Sequence, residues 1–148
     1  MASVVIGSER DNHVGIDVLA RPNAASPSPW DHDWLTVRIR VAGGAFSGGY
    51  EATIRTHDLA RFRGELADLH GRLSGTATFS CDENWLHLEV KGDGRGHIDV
   101  RCEARDDPTF GACLQYTIAI DQTYLPKVLA ELDEVLAHFP VLQPYRTA

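Results

Sequence analysis

Glu89 and Asp99 are the residues whose type and spacing come nearest to catalytic chemistry, because both sit in what reads as one amphipathic hairpin. Leu86, Leu88 and Val90 alternate with His87, Glu89 and Lys91, and beyond the turn at residues 92–96, Ile98, Val100 and Cys102 alternate with Asp99, Arg101 and Glu103. A period of two folds as antiparallel strands with one apolar and one polar face. Odd positions must pair with odd, so Glu89 is expected opposite Asp99 or a near neighbour. Like charges directly opposite destabilise a ladder. A retained pair would serve general acid/base work or dock a cation. Glycoside hydrolysis uses carboxyl groups about 5 to 10 Å apart, which neighbouring strands supply. The environment opposes that chemistry, because an open sheet face offers no pocket to raise one pKa, and Lys91 and Arg101 stand beside the pair. Contact with a basic partner and an inert solvated face are the other readings.

Thiol and metal chemistry fit less well. Cys81, Cys102 and Cys113 are spaced too widely for a zinc pattern, and no Cys-x-x-Cys pair, glycine elbow or adjoining helix start would activate a thiol. Each falls in a strand-like segment and is expected on the core side, as small buried hydrophobes. Asp31, His32 and Asp33 lie between Trp30 and Trp34, but consecutive residues cannot converge on one ion without contorting the backbone. No metal, cofactor or catalytic residue is therefore expected, and Trp30 and Trp34 read as aromatic contacts of a loop. The glycines at 43, 44, 48 and 49 lack the Lys-Ser/Thr ending of a phosphate cradle.

The elements that must carry these residues form one domain, residues 1–148, a length that buries roughly 70% of the unfolded surface. The composition, 43% hydrophobic and 24% charged, is that of a folded chain. No apolar run reaches the roughly 20 residues of a membrane span, and the first residues lack the basic flank of a leader, so a cytoplasmic protein is expected. Twenty-one acidic against 14 basic residues give a net charge of −7, which opposes direct nucleic-acid or membrane binding and favours a basic protein partner.

Strands are predicted at residues 3–6, 13–20, 34–42, 46–54, 75–81, 86–91, 98–103 and 109–121. The last should be central on account of its length, with Phe110 and Ala112 in its apolar phase. Gly48 and Gly49 suggest a bulge in the fourth. Residues 21–33, with three prolines, form a long loop. Amphipathic helices are predicted over about 57–70, capped by Thr56 and stopped by Gly71, and about 124–139, capped by Thr123 and ended by Pro140. His57 and His70 bracket the first helix, too far apart to cooperate. Residues 141–148 read as a loosely held tail. The fold class is α+β: an antiparallel sheet of about six to eight strands with two helices packed on one face.

This order, with Asp33-Trp34-Leu35, the helix residues Leu59 and Phe62, Leu73-Ser74-Gly75-Thr76-Ala77, Gly96-His97-Ile98 and Asp121-Gln122-Thr123-Tyr124-Leu125, resembles the bacterial WapI-like immunity proteins over residues 3–140. The resemblance implies a non-enzymatic cytoplasmic antidote that binds the C-terminal toxic domain of a cell-contact or secreted polymorphic toxin; exposed strand edges would allow a homodimer without demanding one, so a monomer or homodimer is expected. Such toxin domains are often nucleases, and a nuclease is basic. Glu89, Asp99, Glu103, His87, Arg101, Trp30 and Trp34 are the expected partner-binding residues. An interaction domain with another protein partner and a small hydrolase are the alternatives.

Overall fold

A computed structural model describes residues 2–142. Among the described residues, eight antiparallel strands and two helices make an α+β fold. The strands are β1 (Ala2–Gly7), β2 (His13–Ala20), β3 (Trp34–Gly43), β4 (Phe46–Arg55), β5 (Ser74–Phe79), β6 (Leu86–Asp93), β7 (His97–Arg105) and β8 (Cys113–Asp121). The helices are α1 (Thr56–Arg72) and α2 (Leu125–His138). The strands divide into two meanders of four, β1-β2-β3-β4 and β5-β6-β7-β8, each followed by a helix.

The two halves are a structural repeat. Leu59, Phe62, Leu66 and Leu69, the buried stripe of α1, stand 66 positions before Leu125, Val128, Leu132 and Val135, the buried stripe of α2. Each helix covers the other half: α1 lies along β5, α2 lies along β1, and the helices pack against each other. Two glutamates terminate the sheets there. Glu65 Oε1 accepts from Thr78 N at 3.1 Å, and Glu131 Oε1 accepts from Val5 N at 3.0 Å. Two tyrosines repeat likewise: Tyr50 donates its hydroxyl to Trp85 O at 2.6 Å, and Tyr116 donates to His13 O at 2.7 Å. Alternate residues such as Leu35, Val37, Ile39, Leu88, Val90, Ile98 and Val100 fill one continuous core with the helix stripes.

Element ends depart from the sequence-based expectation where local chemistry offered two solutions. The residue before α1 is Arg55, and Asp58 Oδ2 in the first turn accepts its N–H at 2.9 Å; Thr56 is already helical and buried. Asp121 caps the second helical segment, accepting Thr123 N at 2.8 Å into a short 3-10 turn that precedes α2. The left-handed residue ending α1 is Leu73 (φ 59°), not Gly71. That conformation costs a non-glycine residue about 1–2 kcal/mol. It is held by Leu73 N to Leu69 O at 2.7 Å and Gly94 N to Leu73 O at 2.8 Å. Gly92 makes the approach possible, since a Cβ there would stand 2.5 Å from Leu73 O.

Three strand expectations are corrected. Residues 48 and 49 form no bulge: β3 and β4 pair without interruption from Gly43↔Phe46 to Trp34↔Arg55, and the irregularity lies in β2 between Val18 and Ala20. The last strand begins at Cys113 and is an edge strand, because Asp106 Oδ1 accepts from Ala112 N and Asp107 Oδ1 from Thr109 N, folding those residues into a turn. Phe110 is consequently exposed, as is Phe46 at the tip of the β3–β4 hairpin. Cys113 is exposed too, being out of phase with Leu114 and Tyr116, whereas Cys102 is in the core and Cys81 is half-buried.

Candidate protein-binding face

The outer face of the β5–β8 sheet presents the side chains that alternate with the core set. The register is Leu86↔Ala104, His87↔Glu103, Leu88↔Cys102, Glu89↔Arg101, Val90↔Val100 and Lys91↔Asp99. Odd positions pair with odd as expected, but the partner of Glu89 is Arg101, the near neighbour of Asp99, and not Asp99 itself, which faces Lys91. Asp93 explains the shift. Its Oδ1 accepts from Arg95 N at 2.7 Å and from His97 N at 3.1 Å, which centres the turn on Arg95 rather than Gly94. These amides, Arg95 before His97, hold the Asp93 carboxyl below the usual carboxylate range despite the opposing effect of desolvation. Moving the centre by one residue moves every cross-strand partner by two.

The result is a surface of alternating sign rather than a carboxylate cluster. Rows across the sheet read Thr78, Glu89, Arg101, Thr117; then Thr76, Lys91, Asp99, Ala119; then His87, Glu103, Gln115. Arg105 donates to Glu103, and Cys113 Sγ donates to Glu103 Oε1 at 3.9 Å. Opposite charges placed across a ladder support it, and they also fix the orientation in which a charged partner can dock. Two depressions lie on this face. One, about 510 Å³, is bordered by His87, Glu89, Arg101, Glu103 and Gln115. The other, about 470 Å³, is bordered by Glu89, Lys91, Asp93, His97, Asp99 and Arg101. The structure thus gathers five of the seven expected residues, His87, Glu89, Asp99, Arg101 and Glu103, and adds Asp93, His97 and Gln115. The alternation rule could have found His97 and Gln115 once the strands were known to pair.

Trp30 and Trp34 belong to the other half of the molecule. Within the loop at residues 21–33, Pro29–Asp33 form a 3-10 turn that leaves Trp30 exposed. Arg55 ties the two tryptophans together: its Cζ lies 4.1 Å from the Trp34 ring centroid, and its Nη1 donates to Trp30 O at 2.9 Å. Its Nε reaches Asp82 Oδ2 at 3.1 Å. Asp31, His32 and Asp33 diverge. Ser26 Oγ donates to Asp31, His32 Nε2 donates to Ser26 O, and buried Asp33 accepts Leu142 N at 2.7 Å beside Arg21 Nη1 at 3.6 Å. Residues 143–148 of the expected tail lie outside the described residues. Among the described residues, no three His, Cys, Asp or Glu side chains are placed to hold a metal ion, and no helix is long and apolar enough to cross a membrane.

Two of the three thiols, Cys81 and Cys102, are shifted away from nucleophilic use. Burial pushes Cys102 up to about 12, and burial likewise raises Cys81, whose Sγ donates to Glu83 O at 2.7 Å. A thiol nucleophile needs the opposite shift.

No curated protein matches the chain. Among solved structures, the chain is similar to WHY3 from Arabidopsis thaliana, with 12% identity, a TM-score of 0.48 and coverage of 94% of this chain and 88% of that one. It is also similar to MRP1/MRP2 from Trypanosoma bruciei, with 13% identity, a TM-score of 0.46 and coverage of 92% and 83%. The profile of the immunity protein WapI-like family matches residues 5–140. That span runs from the Val5 edge bond in β1 to the end of α2, so it includes both halves of the repeat. The chain belongs to the immunity protein WapI-like family.

Proposed function

We propose that the protein neutralises the toxic domain of a bacterial polymorphic toxin by binding it in the cytoplasm, without chemistry of its own, through the outer face of β5–β8. The observation that carries this reading is the face itself. Glu89, Lys91, Asp99, Arg101 and Glu103 project from strands whose inward residues Leu88, Val90, Ile98, Val100 and Cys102 are almost wholly buried, so the charges are presented by a rigid scaffold. Rigid presentation lowers the ordering cost of association. The net charge of −7 favours encounter with a basic domain, and the alternating rows select among such domains by penalising misplaced like charges.

Replacing Glu89, Asp99 and Glu103 together with Ser tests it. These side chains lie outside the core and their cross-strand pairs are solvent-facing, so the urea unfolding midpoint should fall only slightly. Binding to a basic toxin domain captured with the wild-type protein should weaken by more than roughly tenfold, because the acidic side chains are lost and Lys91 and Arg101 are left without their partners. Undiminished protection and affinity in the triple variant would remove this face from the interface.

A further inference from the structure

Three of the four outer strand edges carry a side chain from elsewhere in the fold. Val5 N on β1 donates to Glu131, and Thr78 N on β5 donates to Glu65. On β8, Thr117 O accepts from Asn12 Nδ2 at 3.0 Å, while Asn12 Oδ1 accepts from Gly44 N at 2.8 Å. The repeat predicts the same closure for β4. Tyr116 bonds to His13 as Tyr50 bonds to Trp85, so Asn84 is the counterpart of Asn12 and Glu51 the counterpart of Thr117. That closure is missing: among the described residues, no group is hydrogen-bonded to the outward backbone of β4 from Ser47 to Thr53, and Asn84 is exposed.

The register identifies the open groups. Gly43 and Phe46 pair across a two-residue loop, so the even-numbered residues of β4 bond to β3, and Ser47, Gly49, Glu51 and Thr53 turn their N–H and C=O outward. Arg55, next in that series, follows the parity by donating its N–H to Asp58. All four outward residues are exposed. Beside this edge, between the two sheets, runs a cleft of about 450 Å³ lined by Val41, Phe46, Gly48, Tyr50, Ala104 and Leu114. Asp106 stands at its border, and Phe46 is 69% exposed. A Cβ at Gly48 would meet nothing within 4 Å, so the cleft is open at that point of the strand.

We propose that β4 is a strand-addition site. An extended segment of a protein partner pairs with residues 47–53, sets every second, apolar side chain into the cleft, and carries a basic residue toward Asp106 at its border. Main-chain bonds supply affinity in this mode, and the pocket for alternate side chains supplies selectivity. The acidic border sets the sign of the flanking residues by charge complementarity. The site joins the β4 edge to a cleft that the ends of β7 and β8 also line, and it does not depend on the polar β5–β8 face being an interface.

Random dodecapeptides displayed on phage and selected on the wild-type protein test the proposal. The enriched peptides should alternate apolar residues and carry a net positive charge. Their binding should slow hydrogen exchange at the amides of Ser47, Gly49, Glu51 and Thr53 while leaving Gly48, Tyr50 and Ala52 as they were. Glu51→Pro removes an outward N–H without touching the β3–β4 ladder, and should weaken binding roughly tenfold or more. Methylating the peptide at alternate backbone nitrogens should do the same in one of its two phases only, whatever the variant does to folding. Peptides without alternation, binding insensitive to both changes, or no enrichment at all would overturn the proposal. So would protection of those four amides that rises with protein concentration alone, which would assign the edge to a second copy of the chain.

Discussion

Removing the carboxylate of Glu131 isolates the contact by which the second helix closes the first strand. Val5 is buried, and its N–H has Glu131 Oε1 as acceptor at 3.0 Å. Glu131→Ala removes the acceptor of that amide. A lost hydrogen bond to a charged group costs about 1.5–3 kcal/mol, so about 2 kcal/mol is expected here, or a fall in Tm of roughly 4–8 °C for a chain of this length. Lys127 also approaches Glu131, at 3.7 Å, but that lysine is exposed and the pair adds little. Glu131→Gln keeps a carbonyl oxygen in reach and should recover more than half of the loss. Urea unfolding followed by far-UV circular dichroism gives both values, and hydrogen exchange at Val5 gives a local reading. Equal destabilisation by the Ala and Gln variants would refute the edge-bond explanation in favour of lost packing. A loss below about 0.5 kcal/mol for Ala would show that water replaces the glutamate.

Leu132, fully buried in the α2 stripe, should cost about 2–5 kcal/mol when truncated to Ala, measured by the same unfolding curve, with toxin affinity of the remaining folded protein unchanged. Gly92→Ala should destabilise by about 1–3 kcal/mol, because its Cβ would meet the Leu73 carbonyl, whereas Gly48→Ala, with open space, should change stability by less than about 0.5 kcal/mol. The Asp17 carboxyl feels desolvation, which raises its pKa, but the forked bond from Arg40 at 2.9 and 3.0 Å, with Ser3 and Arg38, outweighs it and holds the group below its ordinary value. A depressed folded value gives stability that is complete above the unfolded value of about 4 and is lost as pH falls through the lower folded one. Asp17→Asn should therefore unfold more easily at pH 7 and show a flatter loss of stability below about pH 4. A parallel acid limb would exclude Asp17 as its source.

The strands were readable because burial on one face writes a period of two into residues such as Leu35, Val37 and Ile39. The helices were readable because Leu59, Phe62, Leu66 and Leu69 keep helical spacing. What local pattern could not supply was register. The partners of Glu89 and Asp99 depend on where the turn centres, and that was decided by the Asp93 side chain binding two amides rather than by the alternation. The repeat was partly visible in the matching helix stripes. It was masked in the strands, because residues 21–33 separate β2 from β3 while the corresponding β6 and β7 are joined by a tight turn. Phe46 and Phe110 carry the parity or composition of core residues, but Phe46 opens β4 at the hairpin tip and Phe110 lies in the turn before β8, so their exposure follows from tertiary position alone.

The exchange of helices between the halves bears on when a newly made molecule becomes useful. The bond from Val5 to Glu131 spans 126 positions, so β1 leaves the ribosome long before α2 exists to close its edge. At a synthesis rate of about 5–20 residues per second that delay is roughly 6–25 s. During it, the β1 edge is open, because α2 is still missing, whereas α1, the helix that lies along β5, has already been made. Partial chains are thus unlike the finished product in kind, and a cell that interrupts translation gains no fractional dose of working protein.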